Sequence, residues 1–282
     1  MATVYANTHN LKSGFSTWVC PEWTVAAIVD GMQTYGFDGV ELRIGKGHLH
    51  GVELDSPADY LQEVRKQFDQ ANLAVSCIAT SFTFASPDVL ERQKMANAVK
   101  QCLRVADAVG APYIRIFGGE IPAGLEVTGV IDYIADALEE CAEYAEKEKT
   151  RAMILMETCG PFSHSKYIAE VLSQVFSPKL GVVWDPLHPV RVLESVEETY
   201  DTICQYVRHL HVHDYAFNED RTKIVPSEPG EGLVPMKHVV DLLKAGNFRG
   251  YLSLEVENVD ADEVLPKYAK YLKALTKPDA KE

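Results

Sequence analysis

A disulfide framework or a zinc knuckle needs closely or regularly spaced cysteines, and this sequence has neither. Its six cysteines stand at 20, 77, 102, 141, 159 and 204 of 282 residues, with no CxxC pair, which is the pattern of reduced thiols. No stretch approaches the roughly 20 apolar residues that span a bilayer. The opening residues, MATVYANTHNLKSG, lack the basic and apolar segments of a secretory signal. These absences point to a cytoplasmic protein with no membrane partner. Basic residues are scarce as well: 27 Lys plus Arg stand against 41 Asp plus Glu, a formal net charge of −14. A surface so negative repels phosphodiester backbones, which argues against a nucleic-acid partner. Two further absences bear on the fold. No Pro/Ser/Gly-rich linker divides the chain, and no GxGxxG loop joins its first strand to its first helix, so the commonest signature of an open dinucleotide-binding sheet is missing.

What is present is an alternation. Short apolar runs at 12–15, 38–43, 73–79, 112–118, 152–157, 180–185, 207–214 and 251–257 read as strands. Between and after them, helical periodicity predicts helices at about 22–35, 57–71, 88–109, 128–149, 164–176, 192–205, 235–245 and 261–275. Ser86-Pro87-Asp88 and Gly110 mark the two ends of the third helix. Eight βα units in a chain of this length predict a single α/β domain over 1–282, a closed (β/α)8 or TIM barrel, with a doubly wound open sheet as the alternative.

Side-chain parity then sorts the strand residues. Residues two apart in a barrel strand share a face, so polar residues on an inward face need a reason. In the seventh strand His209, His211 and His213 oppose Leu210 and Val212. In the eighth, Ser253, Glu255 and Glu257 oppose Leu252, Leu254 and Val256. The polar faces should be the lumen. The same parity turns Glu157 and Asp185 inward at the ends of the fifth and sixth strands, and it offers Glu41, Arg43 and Arg115 from earlier ones, Glu41 with Arg115 as a possible lumen ion pair.

Glu157, Asp185, His211 and Glu255 thus fall near the C-terminal ends of four consecutive strands, where barrels of this kind carry their chemistry. Their separations are 28, 26 and 44 residues, against roughly 30 for one βα unit. The long last interval holds a Pro-, Gly- and charge-rich stretch at about 215–234, which reads as an active-site lid rather than an extra strand. Three carboxylates and an imidazole converging on one point repel one another unless a cation neutralises them. One divalent metal ion is the simplest solution. Mixed oxygen and nitrogen ligation suits Mn²⁺, Mg²⁺, Co²⁺ or Zn²⁺ without selecting among them.

These segments resemble the xylose isomerase-like TIM barrels, the sugar isomerase and epimerase group that also includes endonuclease IV. The resemblance runs through ILMETCG, VVWDPLHP, HLHVHD and PGEGLVPMKHVVDLLKAGNFRGYLSLEVE, and less specifically through GFDGVELR and GAPYIRIFGG. It implies a divalent metal held by Glu157, Asp185, His211 and Glu255, with His188 of the DPLH segment touching the substrate. The extra histidines of the three-metal endonuclease IV relatives are missing: CIATSFTF and RIFGGEIP contain none, and Asp220 has no His two residues on. The ketose 3-epimerases of the family carry a substrate-binding Glu and an Arg at positions that are Ser163 and Phe217 here. Arg221 or Arg115 could supply the lost polar contact, and His213 could line the pocket.

The chemistry so implied is proton abstraction next to a carbonyl, with a metal-bound enediolate and Glu157 and Glu255 as acid–base pair. A small carbohydrate is the expected substrate. Return of the proton to the same carbon gives an epimerase and to its neighbour an isomerase. Loss of a β-oxygen instead gives a dehydratase or lyase acting on a keto-inositol, keto-sugar or 3-oxo-glycoside. A metal- or sugar-binding barrel without catalysis is the reading from another class. No Gly-rich phosphate loop with a paired Lys or Arg stands out, which favours an unphosphorylated substrate. His209 reads as a partner that orients a ligand, or as a buried imidazole paired with a carboxylate. Trp18, Trp184 and Phe117 read as core or as apolar walls, and a homo-oligomer is compatible with the pattern.

Overall fold

The computed structural model describes residues 11–277. Seven parallel strands follow one another round a barrel: β1 (Lys12–Ser16), β2 (Gly39–Arg43), β3 (Ala74–Ala79), β4 (Tyr113–Ile116), β5 (Met153–Glu157), β6 (Leu180–Trp184) and β7 (Val207–Val212). Two short strands, β8 (Tyr215–Phe217) and β9 (Ile224–Pro226), pair antiparallel outside it, and β10 (Tyr251–Leu254) closes the ring between β7 and β1. The helices are α1 (Val25–Tyr35), α2 (Ala58–Gln70), α3 (Val89–Val109), α4 (Thr128–Lys147), α5 (Ser165–Gln174), α6 (Leu187–Arg191), α7 (Val196–Ile203), α8 (Met236–Ala245) and α9 (Ala261–Thr276). The closed eight-stranded sheet inside a helical layer is the (β/α)8 barrel that the alternation implies.

The core between the layers explains why the strands read as they do. Val40, Leu42, Ile114, Ile116, Ile154, Met156, Val182, Leu210, Leu252 and Leu254 are buried on the outward face of the sheet. Helical residues spaced three or four apart cover them, such as Val99, Leu103 and Ala106 of α3 or Ile134, Leu138 and Cys141 of α4. Truncating one such leucine to alanine costs about 2–5 kcal/mol through lost burial and a residual cavity. Among the described residues, no helix is long and apolar enough to cross a membrane.

Several boundaries differ from the sequence expectation, the most informative at two helix starts and two strand ends. The helix expected at 192–205 starts late, as α7 (Val196–Ile203), and a separate short helix, α6, lies ahead of the expected range: between them Leu193 takes a positive φ of 64°, and Ser195 then opens α7 with a capping box. Its Oγ accepts from the Glu198 N–H at 3.2 Å, while the Glu198 carboxylate accepts from the Ser195 N–H at 2.9 Å. The first helix begins at Val25 because Thr24 caps it, its Oγ1 accepting from the Ala27 N–H. The seventh and eighth strands end at Val212 and Leu254, so His213 and Glu255 sit one residue past their strands. The 215–234 stretch adds no barrel strand, but it carries the β8–β9 hairpin. Asp214 anchors the stretch that follows the hairpin, its Oδ2 accepting from the Gly230 N–H at 2.9 Å.

Candidate active site

Parity in β7 turns His209 and His211 into the lumen, where both are fully buried. The Nδ1 of His211 lies 3.1 Å from Glu157 Oε1 and 3.1 Å from Glu255 Oε2. Asp185, following β6, completes the group: one donor atom from each of Glu157, Asp185, His211 and Glu255 falls within 4.8 Å of all the others. The four residues that sequence parity singled out are thus brought together at the C-terminal mouth of the barrel. A second set, Glu41, His209 and His211, lies deeper in the lumen and shares His211 with the first.

Neighbouring side chains fix each member. The backbone N–H of Asp185 donates to Thr158 Oγ1 at 2.8 Å, and its Oδ1 accepts from the Leu187 N–H and lies 3.0 Å from His213 Nε2. The other ring nitrogen of His213 donates to the Glu255 carbonyl at 2.9 Å, so this histidine stitches two of the four together. Arg115 does the same for the two glutamates, with Nε 3.2 Å from Glu157 and Nη2 3.0 Å from Glu255. Glu41 does not pair with Arg115; its Oε2 lies 3.2 Å from both His209 Nε2 and His211 Nε2. A carboxylate behind a histidine in this way fixes the ring's orientation and makes its far nitrogen more basic.

The electrostatics follow from charges packed where water is absent. Burial opposes ionisation of Glu41, yet His211 and His209 hold its carboxyl well below the ordinary range. Burial is likewise overcome at Asp185 by His213 and His188, and at Glu255 by His211 and Arg115, so both stay ionised. Burial alone would keep His211 neutral, but Glu255, Glu157 and Glu41 raise it well above the usual imidazole value. His213, opposed by burial and favoured by Asp185, is raised to about 9. His209 goes the other way, its burial outweighing Glu41. The cluster therefore gathers positive charge onto whatever sits among its carboxylates.

Above the cluster opens a cavity of about 840 Å³. His188, His213, Arg115 and Glu255 line it, and His188 Nε2 stands 3.6 Å from Asp185 Oδ2. Trp18, Phe117, Tyr215 and Phe217 form apolar walls, whereas Trp184 is fully buried beside Tyr200 in the helical layer. Arg221 is not brought to the lining; its guanidinium lies over the Phe217 ring, 5.2 Å from the centroid. The cation that the hairpin does supply is Lys223. Lys46 and Arg191 reach the lining too, and the sequence reasoning singled out none of the three. For Lys46 a signal existed: it stands between Gly45 and Gly47, at φ 74° and 69°, a left-handed turn that lifts one lysine over the mouth. Lys223 and Arg191 carried no comparable signal.

A closed parallel barrel whose consecutive strand ends converge a Glu, an Asp, a His and a Glu beneath one open cavity defines a class of α/β barrel. The chain belongs to the xylose isomerase-like TIM barrel family, whose pattern matches residues 29–275. Among its relatives, the fructoselysine 3-epimerase of Escherichia coli O157:H7 is 23% identical over 237 residues, covering 81% of this chain and 84% of that protein. The IolI protein, solved with a binding zinc atom, superposes with a TM-score of 0.76 at 16% identity, over 94% of this chain and 96% of that one. The probable 3-DHS dehydratase AsbF of Bacillus anthracis gives 0.74 at 18% identity, over 95% of this chain and 100% of that one. At these identities the structural likenesses establish the fold alone.

Proposed function

We propose that this chain is a divalent-metal-dependent isomerase or epimerase of a small sugar or keto-sugar, working by proton abstraction next to a carbonyl. The observation that carries the reading is the convergence of four donor atoms, three carboxylate and one imidazole, within 4.8 Å at the barrel mouth. The residues fit a cation. Glu157 Oε2 and Asp185 Oδ2 are buried without a hydrogen-bond partner, at only ion-pair distance from Arg115 and His188. Glu157, Asp185, His211 and Glu255 would hold Mn²⁺, Mg²⁺, Co²⁺ or Zn²⁺. Such an ion, when bound, stabilises the negative charge that develops on vicinal oxygens as the neighbouring carbon loses its proton.

The chain's own residues do the rest. Glu157 and Glu255 each place one oxygen 3.1 Å from His211 Nδ1. Either carboxylate can take a proton and the other return one, and two such bases about one carbon produce epimerisation. Arg115 touches both and keeps their spacing fixed. His213 holds Asp185 against rotation, and Glu41 holds His211. His188, half-buried at the cavity wall, is placed to hydrogen-bond a substrate hydroxyl. The 215–234 segment, with the β8–β9 hairpin over the cavity, serves as the lid that excludes water. The name of the E. coli relative, an epimerase of a sugar derivative, supports this reading.

The cavity itself favours a second reading. At about 840 Å³ it extends well beyond the four donors, between Trp18, Phe117 and Phe217, leaving space for a leaving group and so for a lyase on a keto-inositol, keto-sugar or 3-oxo-glycoside. One experiment separates the two and tests both. The metal-loaded protein is incubated in D₂O with a panel of ketoses, keto-sugars and inososes, and followed by proton NMR beside a Glu255→Gln control. Deuterium next to a carbonyl, absent in the control, is expected; a product that differs from the substrate in mass only by the deuterium taken up marks the isomerase or epimerase, and loss of water or aglycone marks the lyase. One metal per chain with no exchange across the panel would contradict the enzymatic reading.

A further inference from the structure

The charges of the outer cavity do not match those of the protein around it. In a chain of net charge −14, the lining carries Arg43, Lys46, Arg115, Arg191 and Lys223 against only Glu255 and Glu257. Arg115 is matched by Glu157 and Glu255. For the other four cations, no carboxylate lies within ion-pair distance among the described residues. Three of them, Lys46, Arg191 and Lys223, are exposed at the rim, on the β2–α2 loop, the end of α6 and the β8–β9 hairpin.

Arg43 is the fourth, and it is buried at 2% exposure. Its Nη groups donate to the Ile44 and Ala79 carbonyls and to Ser81 Oγ, all neutral acceptors, and its Nε has no partner. The guanidinium also lies 5.1 Å from the Trp18 ring centroid, and Lys46 Nζ lies 5.7 Å from the same ring. A buried guanidinium without a counter-ion costs stability unless something supplies the negative charge. Apart from its weak contact with the Trp18 ring, a surface lysine leaning over a cavity already rich in cations meets repulsion there unless that cavity receives an anion.

We infer that the substrate of this site carries an oxyanionic group, a carboxylate or a phosphate ester, seated at the outer end of the cavity between Arg43, Lys46 and Lys223. The inference rests on the metal-dependent sugar reading above and narrows its substrate class to an acidic sugar derivative. The inner end then handles the carbonyl and the outer end the charge. Arg43 keeps one Nη2 hydrogen beyond those its Nη groups give to Ile44, Ala79 and Ser81, a charge-assisted donor for one oxygen of such a group, and the two lysines come from the β2–α2 loop and the β8–β9 hairpin. The hairpin that brings Lys223 thus closes on the charged end of the substrate.

The test uses the full chain loaded with Mn²⁺. Three ketoses share one carbonyl and differ only at the far carbon: D-fructose, D-fructose 6-phosphate and D-fructuronate. Their exchange in D₂O is compared, and binding of the non-reacting relatives D-glucitol, D-glucitol 6-phosphate and D-gluconate is measured by calorimetry at low and high salt. At least one anion should bind about tenfold more tightly than glucitol, with the preference weakening in salt; the two charged arms tell phosphate from carboxylate. Lys46→Ala with Lys223→Ala should reduce that preference to about twofold or less, at an unchanged unfolding midpoint, since neither lysine holds an ion pair. Equal binding of charged and neutral compounds overturns the inference. A preference that survives the double substitution also overturns it, because the charge is then read elsewhere. If no ketose exchanges while a lysine-dependent preference persists, the sugar-isomerase reading falls and the anion pocket stands.

Discussion

The inner and outer ends of one cavity are built by different means. At the inner end, Glu157, Asp185, His211 and Glu255 lie on strands or within a residue of them, nearly all buried, each held by at least one neighbour such as Thr158, Arg115, His213 or Glu41. At the outer end, Lys46, Arg191 and Lys223 are exposed on loops, a short helix and a hairpin, without ion pairs among the described residues. The difference teaches a division of labour. A rigid, oversupported floor fixes the reacting atoms, and a softer rim selects what is presented to them.

The largest effect should come from the floor. Asp185→Asn removes a carboxylate that His213 and the Leu187 N–H orient. On the proposed reading it lowers exchange at least about 10²–10³-fold, the scale of losing one electrostatic stabiliser, with chelation equally damaging; exchange rates in D₂O measure both. Next comes the layer behind the floor. Glu41→Gln leaves the four donors in place but weakens the hold on His211, and metal affinity should fall about 10–100-fold, as read by competition with a chelator.

A smaller effect concerns pH, in the loop that joins floor to rim. His48 and His50 are lowered to about 4, His48 by burial and then by His50 and Arg43, His50 by burial. His48 Nδ1 lies 3.1 Å from Thr17 Oγ1, and His50 accepts from the Val52 N–H while its other nitrogen meets the Arg43 carbonyl. The folded protein thus binds fewer protons here than the unfolded chain. The stability these groups contribute is complete above about pH 6.5 and is lost as pH falls toward 4, by about 1–2 kcal/mol for each histidine at pH 5. Urea midpoints between pH 5 and 7 measure it, and His48→Asn should flatten the profile.

The smallest effect sharpens the contrast within the hairpin. Arg221→Ala, which removes a cation stacked on Phe217 and off the lining, should change exchange by less than about twofold. Lys223→Ala should weaken binding of a charged ligand by more. Equal effects would mean that the hairpin moves before it meets its ligand.

The same division decided what could be read from sequence. His211 and Glu255 announced themselves because a polar side chain on the inward face of a period-two pattern has few reasons to be there. Glu157 and Asp185 followed from the same parity, and the barrel from the count of alternating units. The late start of the helix expected at 192–205 was harder to see. Ser195 and Glu198 spell a capping box, but the apolar periodicity continues across Leu193, whose positive φ is imposed by the turn. At the rim the pattern gives no guidance. Arg221 and Lys223 are two residues apart in one charged turn, and only the hairpin register, Phe217 against Ile224, decides which one faces the cavity. The Gly45-Lys46-Gly47 turn carried a local signal, but its position over the mouth depends on how the β2–α2 loop packs against Trp18.

The most direct test of the central claim is a Mn²⁺ titration of the metal-free protein, followed by electron paramagnetic resonance, beside Asp185→Asn. One tightly bound ion per chain, lost in the variant, is the predicted result. No binding, or binding that Asp185→Asn leaves unchanged, would mean that the four converging donors do not form a metal site.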